Sequence, residues 1–144
     1  MTITNHALAG AAIAVATNNP VLGGVFALVS HFTMDSLPHF GGVKWYDEWG
    51  RPLLFFSIID VLFCVIITAL AIVLFPAFWV AITVCVILAT IPDWFWVLHY
   101  KFGVKHKYFE LHQAIQRYER PWGAYVEIAF ALLIILFLWF EFNR

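Results

Sequence analysis

Charge is the first thing this chain has little of. Asp, Glu, Lys and Arg make up 12% of its 144 residues, and eight basic residues against nine acidic ones leave a net charge of −1. Soluble domains carry about 25% charged residues. With no basic stripe to neutralise phosphates, no nucleic-acid contact is expected. Cysteine is scarce as well. Cys64 and Cys85 stand in separate apolar runs and form no CxxC pair. They read as small core residues and leave the redox compartment open. No Lys or Arg precedes Lys44. A cleaved signal peptide carries a basic n-region, so the Ala-rich start is expected to be part of the fold.

What the chain has instead is apolar surface. It is 63% hydrophobic with a mean hydropathy of +0.86, more than a soluble fold of this length could hide. The expectation is an all-α, polytopic membrane helix bundle forming one membrane-embedded domain over 1–144, with the lipid bilayer as its partner and no protein partner identified. Residues 52–75 and 77–98 are each long enough to cross a hydrocarbon core of ~30 Å at ~1.5 Å per residue. Pro76 leaves room only for a tight turn, so the two form an antiparallel hairpin. A third span runs over 122–140. Trp79 and Trp96, and again Trp122 and Trp139, are 17 positions apart. That is about 25 Å of helix, near the separation of the two aromatic belts.

The N-terminal third predicts a helical hairpin. Thr4 or Asn5 can cap a first helix ending near Thr17. Asn18-Asn19-Pro20 then breaks it, with Asn19 as N-cap and Pro20 as the first residue of a second helix. That helix runs to about Ser36, and Pro38 stops it. The first helix, at about 18 Å, is short for a crossing. Its Ala7, Ala9, Gly10, Ala11 and Ala14, with Gly23 and Gly24 in the second, let backbones approach closely. The hairpin is therefore tightly packed, and either short-spanning or re-entrant. Lys101, Lys105, Lys107, Arg117 and Arg120 lie in the 99–121 loop, Lys44 and Arg51 in the 37–51 loop, and no charge in the Pro76 turn. Basic loops stay in the cytoplasm, which puts both long loops and the N-terminus inside and the C-terminus outside.

The few ionisable residues gather at one depth. His6 opens the first helix, and His31, Asp35 and His39 follow at intervals of four at the inner end of the second. Asp60 lies two turns into the third helix, Asp93 in the last turns of the fourth, and Glu127 in the second turn of the last. His31 and Asp35 share a helix face, and the break at Pro38 lets His39 turn toward the same point. Stripes through Ser57, Asp60, Cys64 and Thr68, and through Thr83, Thr90 and Asp93, are expected to face the bundle interior because lipid rejects ionisable groups. In the 99–121 loop, Tyr108, Leu111, Ile115 and Tyr118 recur at helical spacing. This short amphipathic helix aims His112 at the membrane or the bundle, while His106 among lysines reads as solvated.

Several segments thus bring His or Asp together, as a metal site built by a helix bundle does. The ligand candidates are His6, His31, Asp35, His39, Asp93 and His112. Mixed imidazole and carboxylate ligands suit a divalent transition metal, zinc first and manganese or iron next. Such an ion activates water and polarises an ester or phosphoryl oxygen. Glu127 or a non-ligating Asp such as Asp60 can then take the proton. Plainer readings stand beside these: His6 as a polar residue near a cap, Asp93 as the polar end of a span, Asp60 as a structural hydrogen-bonder.

At these residues the chain resembles the membrane-bound metal-dependent hydrolases described as LexA-binding and inner-membrane-associated. The likeness lies in Thr4-Asn5-His6-Ala7-Leu8 with Gly10, in Ser30-His31 with Asp35 and Pro38-His39, and in Ile91-Pro92-Asp93. The resemblance implies a bacterial or archaeal inner membrane and metal-assisted hydrolysis, without a substrate. Where many members carry an Arg-Gly-x-Thr-His-Ser segment after the Pro-Asp, this chain has Glu110-Leu111-His112-Gln113. A site at headgroup depth favours a lipid or another membrane-delivered ester or phosphoester. Two other classes fit the same residues: a non-catalytic membrane adaptor whose polar cluster locks the bundle, and a metal or proton carrier. Against the carrier, the outer leaflet lacks matching ionisable groups.

Overall fold

A computed structural model describes residues 1–43 and 50–144. Lys44, part of the loop-charge argument, lies outside the described residues. The helices are α1 (Ile3–Thr17), α2 (Pro20–Asp35), α3 (Arg51–Leu74), α4 (Trp79–Phe102), α5 (Lys107–Ile115) and α6 (Gly123–Phe142), with a 3-10 turn at Pro76–Phe78 joining α3 to α4. Among the described residues there is no strand, only an isolated bridge between His39 and Glu119.

The turn with α4, and α3 and α6, give three helices long and apolar enough to cross a membrane. Their outward faces are bare hydrocarbon: Phe55, Phe63 and Val73 on α3, Leu132, Leu136 and Phe140 on α6. Continuous apolar surface on this scale is stable against lipid and not against water.

The short α1 occupies the centre, packed against α2, α3, α4 and α6. It has 15 residues, or about 22 Å of helix, too short to line a full crossing by itself. A helix apolar on all sides is a buried one, and Asn5 to Ala11 are all buried. Its small side chains let neighbours in. A Cβ on Gly10 would stand 2.9 Å from the Cys85 carbonyl oxygen and 3.0 Å from Val86 Cα, so α1 and α4 meet backbone to backbone. Ala7, Ala11, Ala14, Ala27, Ile82 and Ala89 fill the core around that contact, with both cysteines free and buried.

The helix ends show how the hairpin is set. Asn19 Oδ1 accepts from the N–H groups of Val21 and Leu22, both at 3.0 Å, with Pro20 opening α2. This is the cap expected from the sequence. The start of α1 differs. Its N-cap is Thr2, which makes no side-chain cap bond. Thr4 Oγ1 donates to the Asp60 carbonyl at 3.1 Å, and the Asn5 amide donates to Glu127. Neither residue caps the helix, because carboxylates from α3 and α6 meet its first N–H groups. Farther on, the Arg120 N–H donates to the His39 carbonyl at 2.9 Å. Gly123 lies so close to the His39 backbone that a Cβ there would overlap it. The segment after α2 is thus strapped over the start of α6.

Candidate metal centre

His6 comes from the first turns of α1, His31 and Asp35 from the last turns of α2, and Asp93 from α4 just after Pro92. Each offers a ligand atom, and the four atoms lie within 4.8 Å of one another. His6 Nε2 is 3.1 Å from Asp35 Oδ1, and His31 Nε2 is 3.2 Å from Asp35 Oδ2. Asp93 stands slightly back, with Oδ2 3.8 Å from His6 Nε2 and Oδ1 3.8 Å from His31 Nε2. The His6 and His31 rings stack with centroids 4.1 Å apart. His6, His31 and Asp35 are wholly buried, while the Asp93 side chain is 13% exposed.

The donor set suits a cation. His31 Nδ1 is 2.8 Å from the Ala89 carbonyl oxygen. A carbonyl only accepts, so Nδ1 carries the proton and the Nε2 lone pair faces the cluster, the usual outer-shell arrangement of a metal-binding imidazole. Pro92, inside α4, supplies no N–H to this part of the helix. Asp93 Oδ2 is buried and has no hydrogen-bond partner among the described residues. Leaving a carboxylate oxygen so is costly, and a cation would satisfy it. A positive charge is already drawn in: the Met1 ammonium lies 2.6 Å from Asp35 Oδ1. Burial opposes that charge, but Asp35 and Asp93 outweigh it and hold the ammonium pKa above its ordinary value. Two imidazoles and two carboxylates at these spacings could hold a metal ion.

His112, buried on α5, contacts Asp35 from outside this group. Its Nε2 is 2.9 Å from Asp35 Oδ2, and the Trp96 indole N–H donates to its Nδ1 at 3.2 Å. An indole only donates, so Nδ1 accepts and Nε2 keeps the proton that it gives to Asp35. Tyr108 stands 3.1 Å from the same Nδ1 and donates to the Pro92 carbonyl at 2.8 Å. Burial, then the charges of Asp93 and Asp35, push the Tyr108 phenol well above its usual pKa, so it stays a donor. Gln116 Nε2 gives Asp35 Oδ2 a further bond at 3.1 Å. By sequence alone, Gln116 has no assigned role and Trp96 only a place in an aromatic belt. Gln116 lies four residues beyond His112, the helical spacing that could have flagged it.

The other candidates lie apart. His39 is 1% exposed; its Nδ1 donates to the Leu37 carbonyl at 2.8 Å, and its Nε2 is 3.7 Å from Glu119 Oε1. Asp60 takes the Ile3 N–H on Oδ2 at 2.7 Å and the Thr4 N–H on Oδ1 at 3.0 Å. Glu127 Oε2 accepts from the Thr2 N–H, the Thr2 hydroxyl and the Asn5 amide, and Oε1 from the Phe40 N–H. Both carboxylates thus face the positive end of α1, where a negative charge is favoured. No hydrogen bond joins either to the four-residue group among the described residues. His106 is exposed and caps α5 by accepting the Tyr108 N–H at 3.1 Å.

No family model matches the chain, and no curated protein or solved structure matches it either.

Proposed function

We propose that this chain is a metal-dependent hydrolase of the cell inner (plasma) membrane, similar to the LexA-binding, inner-membrane-associated hydrolases, with its N-terminus and the 99–121 loop in the cytoplasm. The observation that carries the proposal is the meeting of His6, His31, Asp35 and Asp93 atoms within 4.8 Å, drawn from three helices. Zinc is the first choice of ion, then manganese or iron.

Catalytic zinc sites keep three protein ligands and an open position. His6, His31 and Asp35 are assigned as that trio, since both imidazoles lie nearer to Asp35 than to Asp93. When bound, the ion supplies Lewis acidity to water and to an ester or phosphoryl oxygen. Asp93 borders a cavity of about 580 Å³, and its Oδ2 has no partner among the described residues. It is the carboxylate assigned to take the proton from water. His112 and Gln116 hold Asp35 by donating to Oδ2, which keeps that oxygen oriented and ionised. Asp60 and Glu127, with their oxygens on the start of α1, are read as structural.

The second reading is a non-catalytic membrane adaptor. The Asp60 and Glu127 bonds favour it, since they tie α3 and α6 to α1 without serving any chemistry. Element-resolved metal analysis of detergent-purified protein decides between the two. A transition metal in stoichiometric amount is expected. Metal at background even after reconstitution with zinc, manganese or iron leaves the adaptor.

A further inference from the structure

The cavity at Asp93 has further polar residues in its lining. Among them are His39, Gln116, Arg117 and Arg120, the last three from the segment between α5 and α6. His39 is the telling residue there. It is 1% exposed, yet among the described residues its Nε2 has no hydrogen-bond partner, and Glu119 Oε1 stands 3.7 Å away. A buried ring nitrogen without a partner is costly, and a ligand oxygen would satisfy it. Arg117 and Arg120 share the cavity lining with Glu119. Arg120 donates to the Glu119 carbonyl and Arg117 lies over the Tyr118 ring. Guanidiniums are donors that recognise a phosphate.

A second recess, of about 460 Å³, opens from the same place. Phe40, Ser57 and Asp60 line both spaces. From there the recess runs between α3 and α6 over Phe56, Ile59, Phe63, Ala124, Ile128 and Ala131. These walls are apolar and belong to two of the helices able to span a membrane. The polar cavity and this largely apolar groove therefore adjoin at Phe40, Ser57 and Asp60.

We infer that cavity and groove together bind a phosphate-headed lipid, its phosphate toward His39, Arg117 and Arg120 and its acyl chains along the groove between α3 and α6. This rests on the hydrolase reading for its chemical consequence: the lipid is the substrate, and Asp93 of the four-residue group lines the headgroup cavity. Hydrolysis of the phosphoester consumes one water. Its oxygen forms the new bond to phosphorus, the bond to the alcohol oxygen breaks, and the alcohol leaves with the proton. The apolar groove argues for a lipid over free phosphate, since a soluble phosphoester would leave it empty.

The test uses the full chain purified in detergent, with lipid binding followed by native mass spectrometry and metal content measured on the same samples. Dioleoyl phosphatidic acid, dioleoylglycerol and glycerol 3-phosphate are the probes. The first has both parts, the second only the chains, the third only the headgroup. Phosphatidic acid is expected to bind at least about tenfold tighter than either partial probe. An Arg117→Ala/Arg120→Ala variant should lose that preference over dioleoylglycerol, and Ala131→Trp should lose the preference over glycerol 3-phosphate, with metal content unchanged in both. Equal binding of phosphatidic acid and dioleoylglycerol overturns the headgroup site. Equal binding of glycerol 3-phosphate overturns the groove and leaves free phosphate as the ligand. Retention of the full preference by the double arginine variant also overturns the assignment. Headgroup-selective binding by protein that takes up no metal upholds the lipid site and overturns the hydrolase reading. Metal without headgroup preference does the reverse.

Discussion

Trp96 and His112 are joined by a hydrogen bond in which the indole N–H donates to Nδ1 at 3.2 Å. The bond reaches the candidate metal centre through one ring. By occupying Nδ1 it fixes the proton on Nε2, which faces Asp35 Oδ2 at 2.9 Å. Trp96→Phe keeps an aromatic ring and removes only the donor, freeing His112 to adopt the other tautomer and present a lone pair to the carboxylate. Outer partners of this kind are worth about 10- to 100-fold in metal affinity. The variant is expected to bind metal more weakly by that factor in a competitive chelator titration, yet still fill at saturating metal. Unchanged affinity would show that His112 does not act through its tautomer.

Asp60 is expected to matter for stability and not for metal. Both of its oxygens accept backbone N–H groups at the start of α1, and an amide offers only one acceptor. In Asp60→Asn one of those N–H groups therefore faces an NH₂, at a cost of about 1–3 kcal/mol. Thermal unfolding in detergent should shift down while metal content stays at the wild-type level. Loss of metal without loss of stability would return Asp60 to the chemistry.

Membrane orientation follows from loop charge. Reporter fusions within the 99–121 loop and at the C-terminus should report opposite sides, since α6 alone separates them and is long and apolar enough to cross. Both reporters on one side would mean that α6 does not cross.

Much of this architecture was legible because the signals are local. The proline and asparagine at Asn19-Pro20 and the apolar lengths of α3, α4 and α6 each act within a few residues. The same holds for His31 and Asp35, whose spacing alone puts them on one face. The expected face of α5 through Leu111 and Tyr118 instead gives way to Phe109 and His112 as its buried residues, with Tyr118 beyond the helix. What was not legible depends on partners distant in the chain. The cap of α1 comes from Asp60 and Glu127, more than fifty residues away in sequence, so Thr4 and Asn5 looked like the caps. His39 kept the four-residue spacing of His31 and Asp35. Yet its backbone is held by Arg120 and Gly123, and this places its ring on the cavity instead of among the four. Gln116 and Trp96 act only once α5 has folded back on α4, a tertiary event with no sequence period of its own.

The sharpest expectation concerns His31 and Asp35. Asp35 is 3.1 Å from His6 Nε2 and 3.2 Å from His31 Nε2, so it is the hub of the donor group. Removing either residue as His31→Ala or Asp35→Ala leaves too few close donors, and each change alone should abolish metal binding. The double variant should then lose nothing further, because members of one site are strongly non-additive. Folding is the obvious confounder, since both residues are wholly buried. It is checked by helical content and by a single symmetric peak on gel filtration in detergent. The Asp35→Asn variant adds a second control: it keeps the shape and one acceptor oxygen while removing the charge, so it should fold where Asp35→Ala fails and still bind metal poorly. A folded His31→Ala/Asp35→Ala protein that retains full metal content would place the ion away from this cluster and remove the structural basis of the hydrolase reading.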